Sequence, residues 1–313
     1  VRSYLNFSWQ ADYHKAGVNA YVQNNFYSVT DTVIRTSISS RHAIRIEPFY
    51  EFKNRYIRLH AGVNIDMNIG NGTMLSSTEN LSFAPSPNVT FEWHMMDNLF
   101  HLYANAQGYY GIGSLQEYIG YNRYLDIPQG VAWNTPRTYT PVDAQIGFKI
   151  RPLPTLLLDV YGGYAYMSDA YNMYASVDSV KVTNYELFLT DYHRWKVGAS
   201  LHYHLRDIVE LNVDGNYYFW RTAADAVVYD RPNWDLKARV DVHIDSKWSL
   251  YSDNYFAGSR TAFTSEGEKT LRPTIALNIG CSYAVNRWLL AYVQLNDYLH
   301  RKNDILYGYQ AQG

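Results

Sequence analysis

The 313-residue sequence contains a single cysteine, Cys281, and this scarcity excludes two kinds of architecture. One thiol cannot build an internal disulfide framework, and it cannot supply the paired cysteines of a zinc-finger-type site. Long hydrophobic runs are also missing. Because no stretch of about 18 apolar residues occurs, the sequence predicts no transmembrane helix. The formal net charge is only −2, so nothing indicates a nucleic-acid partner.

Aromatic side chains, in contrast, are abundant. The chain has 31 Tyr, 8 Trp and 12 Phe residues. This content suits a protein with aromatic belts at both membrane interfaces. It equally suits a secreted β-sandwich or a carbohydrate-binding protein, so composition leaves both classes open.

The segment 54–67 shows a pattern that separates these classes. Its odd positions are apolar and its even positions are mostly polar, as in Ile57, Leu59 and Val63 against Arg58, His60 and Asn64. Successive strand residues point to opposite faces, so the segment is one long two-faced strand. A two-faced strand of about ten residues, repeated many times, is typical of a membrane-spanning β-barrel.

About fourteen segments carry this alternation. The clearest predicted strands are 54–67, 140–151, 193–206, 234–245 and 286–296. Weaker candidates are 2–11, 16–27, 42–52, 81–95, 98–110, 155–166, 208–220, 247–257 and 272–284.

The connections between these strands alternate between short and long. The short ones contain Asn, Asp and Pro, which favour tight turns; they lie near 12–15, 53–54, 96–98, 152–154, 206–207, 245–247 and 285–287. The long ones span about 28–41, 68–80, 111–139, 167–192, 221–233 and 258–271. Outer-membrane barrels have short periplasmic turns and long extracellular loops.

Together these patterns predict an all-β fold, a transmembrane antiparallel β-barrel that occupies residues 1–313 as one partial domain. Fourteen long strands exceed what a soluble barrel needs to fill its interior. Val63 and Val240 should contact lipid, whereas Asn64 and Arg239 should face the lumen. An outer-membrane protein is exported, yet Val1 opens directly into strand-like sequence, so we expect a mature part of a longer precursor. By the turn assignment, an odd number of strands should precede Val1 and another strand should follow Gly313.

The C-terminal segment 295–313 contains a spaced set of polar and aromatic residues, namely Asn296, Tyr298, Leu299, Arg301, Asp304, Tyr307, Gly308 and Tyr309. This set resembles the phrase that joins the last two strands of TonB-dependent receptor barrels of Gram-negative outer membranes. The resemblance implies a barrel of about 22 strands around a plug. Seven strands upstream, fourteen here and one downstream would give that total. The plug and the TonB-interacting segment of such receptors are not in this chain.

Few side chains suggest chemistry, and we assign no catalytic, cofactor-binding or metal-binding residue. His202 and His204, with His193 nearby, could suggest a metal site, but lumen-facing histidines in polar company explain them better. The alternating charges Asp235, Lys237, Arg239, Asp241 and His243 fit a hydrogen-bonded lumen wall, with charges paired across neighbouring strands, better than a catalytic carboxylate pair.

The long loops hold the remaining candidates. Segments 71–80 and 169–178 could bind calcium but lack the regular acidic spacing of a dedicated calcium loop. Aromatic residues of the longest loop could stack on a ligand or pack between loops; they are Tyr118, Tyr121, Tyr124, Trp133 and Tyr139. Cys281 is in phase with Ile275, Leu277 and Ile279, so it should face lipid.

The sequence and the resemblance together imply an outer-membrane receptor that takes up a scarce ligand such as a glycan, an iron chelate or a peptide. The expected partners are outer-membrane lipid, a TonB-type energy-coupling protein that acts through the absent plug, and a surface lipoprotein as a further candidate. The alternative function is a passive porin-type channel. An adhesin or a barrel enzyme is the third class, and no Ser/His/acid set for an enzyme is evident, so we expect no enzymatic activity.

Overall fold

The computed structural model describes residues 2–26, 41–69, 81–96, 99–110, 138–178, 181–222, 226–299 and 301–311. Within these ranges the chain forms eighteen strands, and no helix there is long and apolar enough to cross a membrane. The strands are β1 Arg2–Ala11, β2 His14–Asn25, β3 Arg41–Lys53, β4 Ile57–Ile69, β5 Leu81–Met95, β6 Phe100–Tyr110, β7 Tyr139–Leu153, β8 Leu156–Asp178, β9 Lys181–Leu205, β10 Val209–Thr222, β11 Trp234–His243, β12 Trp248–Ala257, β13 Arg260–Thr264, β14 Gly267–Leu271, β15 Thr274–Asn286, β16 Leu289–Leu295, β17 Asn303–Leu306 and β18 Tyr309–Ala311.

Fourteen of these strands form one antiparallel meander in which the spatial order follows the chain, from β1 to β12 and then β15 and β16. They correspond to the fourteen predicted strands, and β1 has the predicted bounds. β13 and β14 form a hairpin beside the meander, and β17 and β18 form a separate two-stranded sheet. In the part of the chain that the structure describes, β1 and β16 do not pair, so the sheet does not close into a barrel.

The region 167–192 differs from its prediction as a long loop. There β8 and β9 continue far beyond the other strands and pair up to Asp178 and Lys181. A bulge between Met167 and Ala170 shifts the register, and Asp169 has a positive φ of 54°. The bulge reverses the alternation of faces, so the strand pattern breaks in the sequence although the backbone remains extended.

The meander has an apolar face and a polar face, as the alternation predicts. Register partners carry the apolar phase from strand to strand, as Tyr203 pairs with Leu211 and Leu211 with Val240. Val63 is 48% exposed, whereas its neighbour Asn64 is only 4% exposed. Val63 and Asn64 therefore lie on opposite faces of the sheet.

Exposed aromatic rings form two bands on the apolar face. The band near the short turns contains Trp9, Tyr50, Trp93 and Trp248, and the band toward the long connections contains Trp195, Phe219 and Trp234. On β9 the span from Trp195 to Tyr203, which lies two residues before β9 ends at the short β9–β10 turn, is about 27 Å at roughly 3.4 Å per residue. This spacing matches the apolar band of about 25 Å that aromatic girdles flank in transmembrane barrels.

Side-chain caps hold several of the short turns. Asn54 Oδ1 accepts hydrogen bonds from the backbone N–H groups of Tyr56 and Ile57 at 2.8 and 2.7 Å. Asp245 caps the β11–β12 turn in the same way, and its bonds from two backbone N–H groups lower the pKa of its carboxyl. These caps are the physical basis of the turn preference of Asn and Asp.

The extended β8–β9 hairpin supports a separate packed region. Met173, Ala175 and Tyr185 form a buried cluster with Leu306 of β17. The Tyr185 hydroxyl donates a hydrogen bond of 2.5 Å to the backbone oxygen of Tyr307. We predicted the C-terminal segment to be a connection between two barrel strands. Its strands β17 and β18 instead form a small sheet of their own that packs against this hairpin.

Candidate functional site

A cavity of about 1000 Å³ lies on the polar face. Strands β1 to β6 form its wall, β8 contributes residues 170–173, and Asp230 and Arg231 lie at its rim. Half of the lining residues are Asn, Gln or Tyr. They present hydrogen-bond donors, acceptors and ring faces without a large excess of either charge.

A buried carboxylate, Glu47 on β3, organises the wall of this cavity. Its oxygens accept hydrogen bonds from Asn19 Nδ2 at 3.0 Å and from Asn88 Nδ2 at 2.6 Å, and one oxygen lies 3.0 Å from His60 Nε2. Glu47 is only 8% exposed. Three polar partners from three other strands satisfy the buried acid, as burial of a carboxylate requires.

Next to it, Arg45 and Asp66 form a bidentate ion pair across β3 and β4. Arg45 Nε lies 2.7 Å from Asp66 Oδ1, and Arg45 Nη2 lies 3.1 Å from Asp66 Oδ2. Asp66 is only 4% exposed, so its carboxylate contacts Arg45 and is shielded from solvent. Also on β4, Asn64 Nδ2 donates a hydrogen bond of 3.0 Å to the backbone oxygen of Gly108 on β6. Because these groups hold one another, the wall is ordered without a ligand.

The rim of the cavity comes from the segment between β10 and β11. The Arg231 guanidinium lies 4.5 Å from the Tyr192 ring and 5.2 Å from the Trp220 ring. Burial raises the pKa of the Asp230 carboxyl to about 6, against the opposing effects of Arg260 and Arg231. The Asp230 backbone N–H donates 2.8 Å to the Thr261 oxygen, which ties this segment to β13.

A second polar network continues across β6 to β11. The Tyr103 hydroxyl donates to Asp159 at 3.0 Å, and Gln145 donates to the Tyr103 oxygen at 3.0 Å. Asp235 accepts hydrogen bonds from Asn216 and Tyr218 at 2.9 and 2.8 Å. Hydrogen-bonded polar side chains therefore also cover the part of the polar face formed by these strands.

The predicted charge ladder on β11 takes part in this wall but pairs differently than expected. Arg239 binds Asp241 of the same strand, with 2.7 Å between Nε and Oδ2. Positions two apart share a face, and the long guanidinium side chain reaches the neighbouring carboxylate. His243 Nδ1 lies 2.8 Å from Ser249 Oγ, across the strands. Nothing in this ladder forms a carboxylate pair.

The three histidines of β9 do not form one cluster. His202 and His204 share the polar face, with ring centroids 5.9 Å apart. His193 lies on the other face, where its ring stacks on Tyr166 at 4.8 Å. His193 is thus separated from the other two, and the expectation that these histidines form no metal site stays a prediction.

The remaining loop candidates fall into three groups. Segment 71–80 and residues Tyr118, Tyr121, Tyr124 and Trp133 lie outside the described residues. Segment 169–178 is part of strand β8 rather than a loop. Tyr139 opens β7 and packs edge-on against Tyr110, with 5.6 Å between ring centroids. Cys281 is a free thiol on the apolar face, opposite Leu250 and Val293, as predicted.

Sequence reasoning missed one polar cluster, Glu92, His94 and His101, at the ends of β5 and β6. The alternation places all three on the polar face. Their proximity depends on the register of two strands, which the sequence alone does not give.

No known protein-family profile matches the chain, and no curated protein matches it in sequence. Solved structures do match. The copper transporter OprC has a TM-score of 0.66 at 13% identity, over 96% of this chain and 51% of OprC. The siderophore receptor PirA from Acinetobacter baumannii has a TM-score of 0.65 at 11% identity, over 100% of this chain and 52% of PirA. The ferric enterobactin receptor PfeA from Pseudomonas aeruginosa has a TM-score of 0.64 at 13% identity, over 100% of this chain and 50% of PfeA.

The chain spans about half the length of these solved structures. They are TonB-dependent receptors. At such low identities the likeness establishes the fold alone: the open meander matches part of a barrel of this class. The resemblance drawn from the C-terminal segment is confirmed at that level.

Proposed function

We propose that this chain is part of the barrel of an outer-membrane receptor that takes up a scarce ligand in the TonB-dependent manner. The observation that carries the proposal is the shared receptor fold together with an ordered polar cavity on the face that would line the lumen. The apolar face with two aromatic bands supports contact with outer-membrane lipid. Energy coupling through a plug and a TonB-type partner, and association with a surface lipoprotein, belong to the same proposal.

The charges of the cavity favour a neutral, hydroxyl-rich ligand of the glycan class. Arg45 is neutralised by Asp66, and Arg231 stacks on two rings. A ferric chelate with net negative charge would find these two cations already engaged and three carboxylates nearby, namely Glu47, Asp66 and Asp230. Amides and tyrosines, in contrast, match sugar hydroxyls and sugar ring faces.

Conductance of the complete protein separates this receptor from the alternative, a passive porin-type channel. A receptor whose lumen holds a plug should show no steady conductance in a planar bilayer. A stable ohmic current from each inserted molecule would instead identify an open channel. The third class, an adhesin or enzyme, receives no support from the solved structures, which are named as transporters and receptors.

Ligand binding tests the glycan class directly. The complete protein in detergent is titrated with neutral oligosaccharides, ferric chelates and short peptides. Gln107→Ala and Tyr109→Ala remove two exposed side chains of the cavity wall. Each should weaken glycan binding by about fivefold, since one lost hydrogen bond or stacking contact is worth roughly 1 kcal/mol. Arg239→Ala, on the same face but outside the cavity, is the matched control. Preferential binding of ferric chelates would overturn the glycan assignment.

A further inference from the structure

Two adjacent strands bring three potential metal ligands together outside the lining of the cavity. Glu92 and His94 lie on β5, and His101 lies on β6. One ligand atom from each lies within 4.8 Å of the others. His94 and His101 are direct register partners, so their rings stack with centroids 4.2 Å apart at an angle of 17°. Glu92 is two residues before His94 and therefore shares its face.

The groups around this cluster do not satisfy all of its potential ligand atoms. Arg58 binds Glu51 at 2.9 Å and lies 3.9 Å from Glu92, so its closer ion pair is with Glu51. Within the described residues, His101 Nε2 is buried and has no hydrogen-bond partner. Buried polar atoms normally have a partner, so an orphaned imidazole nitrogen beside a second imidazole and a carboxylate needs an explanation.

We propose that Glu92, His94 and His101 form a binding site for a divalent transition-metal ion, with Zn²⁺ as the best match. Two imidazoles and one carboxylate are a ligand set that Zn²⁺ accepts with a further position open to water. Imidazole is a poor ligand for Ca²⁺ or Mg²⁺, so those ions are excluded. Metal–ligand bonds of about 2.0–2.2 Å place ligand atoms roughly 3.3 Å apart. The present spacing is wider and the two rings are stacked, so metal binding requires side-chain rotations that unstack His94 and His101.

The electrostatics of the neighbourhood permit a cation of this kind. Lys149 is the register partner of His101, but its ammonium lies over the Tyr103 ring at 5.1 Å. Asp159 lies beyond that ring and accepts the Tyr103 hydroxyl. The nearest fixed cations, Arg58 and Lys149, are thus already engaged by other groups. We expect weaker affinity than at a structural zinc site, where thiolates add charge.

Zinc titration of the complete protein in detergent, followed by calorimetry, tests the site, and Co²⁺ absorption reports the coordination geometry. His94→Gln and His101→Gln each remove one ligand and should weaken Zn²⁺ binding by at least about 100-fold, because even outer-shell changes reach that range. Glu92→Gln keeps the shape of the side chain but removes its charge, and it should also weaken binding. The site does not depend on the proposed transport function, so its test stands independently.

His202→Gln is the matched control, because His202 belongs to a second histidine pair on the polar face. It should leave Zn²⁺ affinity unchanged. Equal losses in the control and the ligand variants would mean adventitious binding to surface histidines and would overturn the proposal. Unchanged binding in His94→Gln and His101→Gln would do the same. Heat-dependent gel migration of every variant verifies that each protein is folded.

Discussion

Glycines opposite tyrosines are a recurring device of the polar face. Gly147, Gly198 and Gly280 are the register partners of Tyr103, Tyr161 and Tyr251. A Cβ atom at any of these glycines would overlap the tyrosine ring. Each ring therefore lies flat over a neighbouring backbone that has no side chain, which is how aromatic residues compensate for glycine in a sheet.

Gly198→Ala should destabilise the protein by about 1–3 kcal/mol, because the new methyl group forces the Tyr161 ring away. The displacement also breaks the 2.8 Å hydrogen bond from the Tyr161 hydroxyl to Asn216. Gly162→Ala is the matched control on the other face, where the nearest atom to a new Cβ lies 3.8 Å away. Denaturant unfolding of the complete protein from lipid measures both. Equal stability of the two variants would show that the ring does not depend on the glycine.

The two faces should tolerate substitutions differently. Val240→Arg places a charge on the apolar face and should cost about 2–4 kcal/mol near the bilayer midplane. Arg239→Ala removes only the pairing with Asp241 and the contact over the Tyr251 ring, so its effect should be small. The measurement is reversible unfolding from lipid vesicles. Equal tolerance at the two neighbouring positions would contradict a membrane-spanning sheet.

At the scale of elements, the bulge near Asp169 explains why the sequence pattern did not predict the far part of the β8–β9 hairpin. Alternation predicted all fourteen meander strands, because each keeps one phase over a long stretch. β8 changes phase at its bulge, and the short hairpin of β13 and β14 has too few residues for a periodic pattern. The candidate site was less predictable than the fold. Glu47, Asn19 and Asn88 come together only through strand register, which cannot be read from a single sequence.

The segment around Asp230 should pack more firmly on β13 as pH falls from 7 to 5. The folded pKa of about 6 lies above the ordinary value of 3.8, so protonation occurs first in the packed state. Stability is therefore gained as pH falls through 6 and is lost as pH rises. Hydrogen exchange of the Asp230 amide, corrected for intrinsic rates, should slow by roughly tenfold. Asp230→Asn should abolish this pH dependence, and a wild-type amide equally protected at both pH values would refute the argument.

At the scale of the whole molecule, the short and long connections lie at opposite ends of the sheet. A cysteine at Ser176, in the extended β8–β9 hairpin, should react with an impermeant thiol reagent on intact cells. Cysteines at Leu153 or Ser246, beside short turns, should react only after the outer membrane is opened. Leu115 is predicted to behave like Ser176 and lies outside the described residues. Cys281→Ser provides the background for all variants. The reverse pattern of labelling would invert the assignment of the two ends.

The meander order has a consequence for how the chain folds. From β2 to β11, each strand pairs with the strand that precedes it and the strand that follows it. Each pairing step therefore closes only one connection, and the entropy of loop closure stays small even though the sheet is wide. The parallel contact of Phe263 with Tyr174 joins strands that are far apart in the chain. Neighbouring strands should therefore pair early, and the contact between Phe263 and Tyr174 should form last, after the meander is complete.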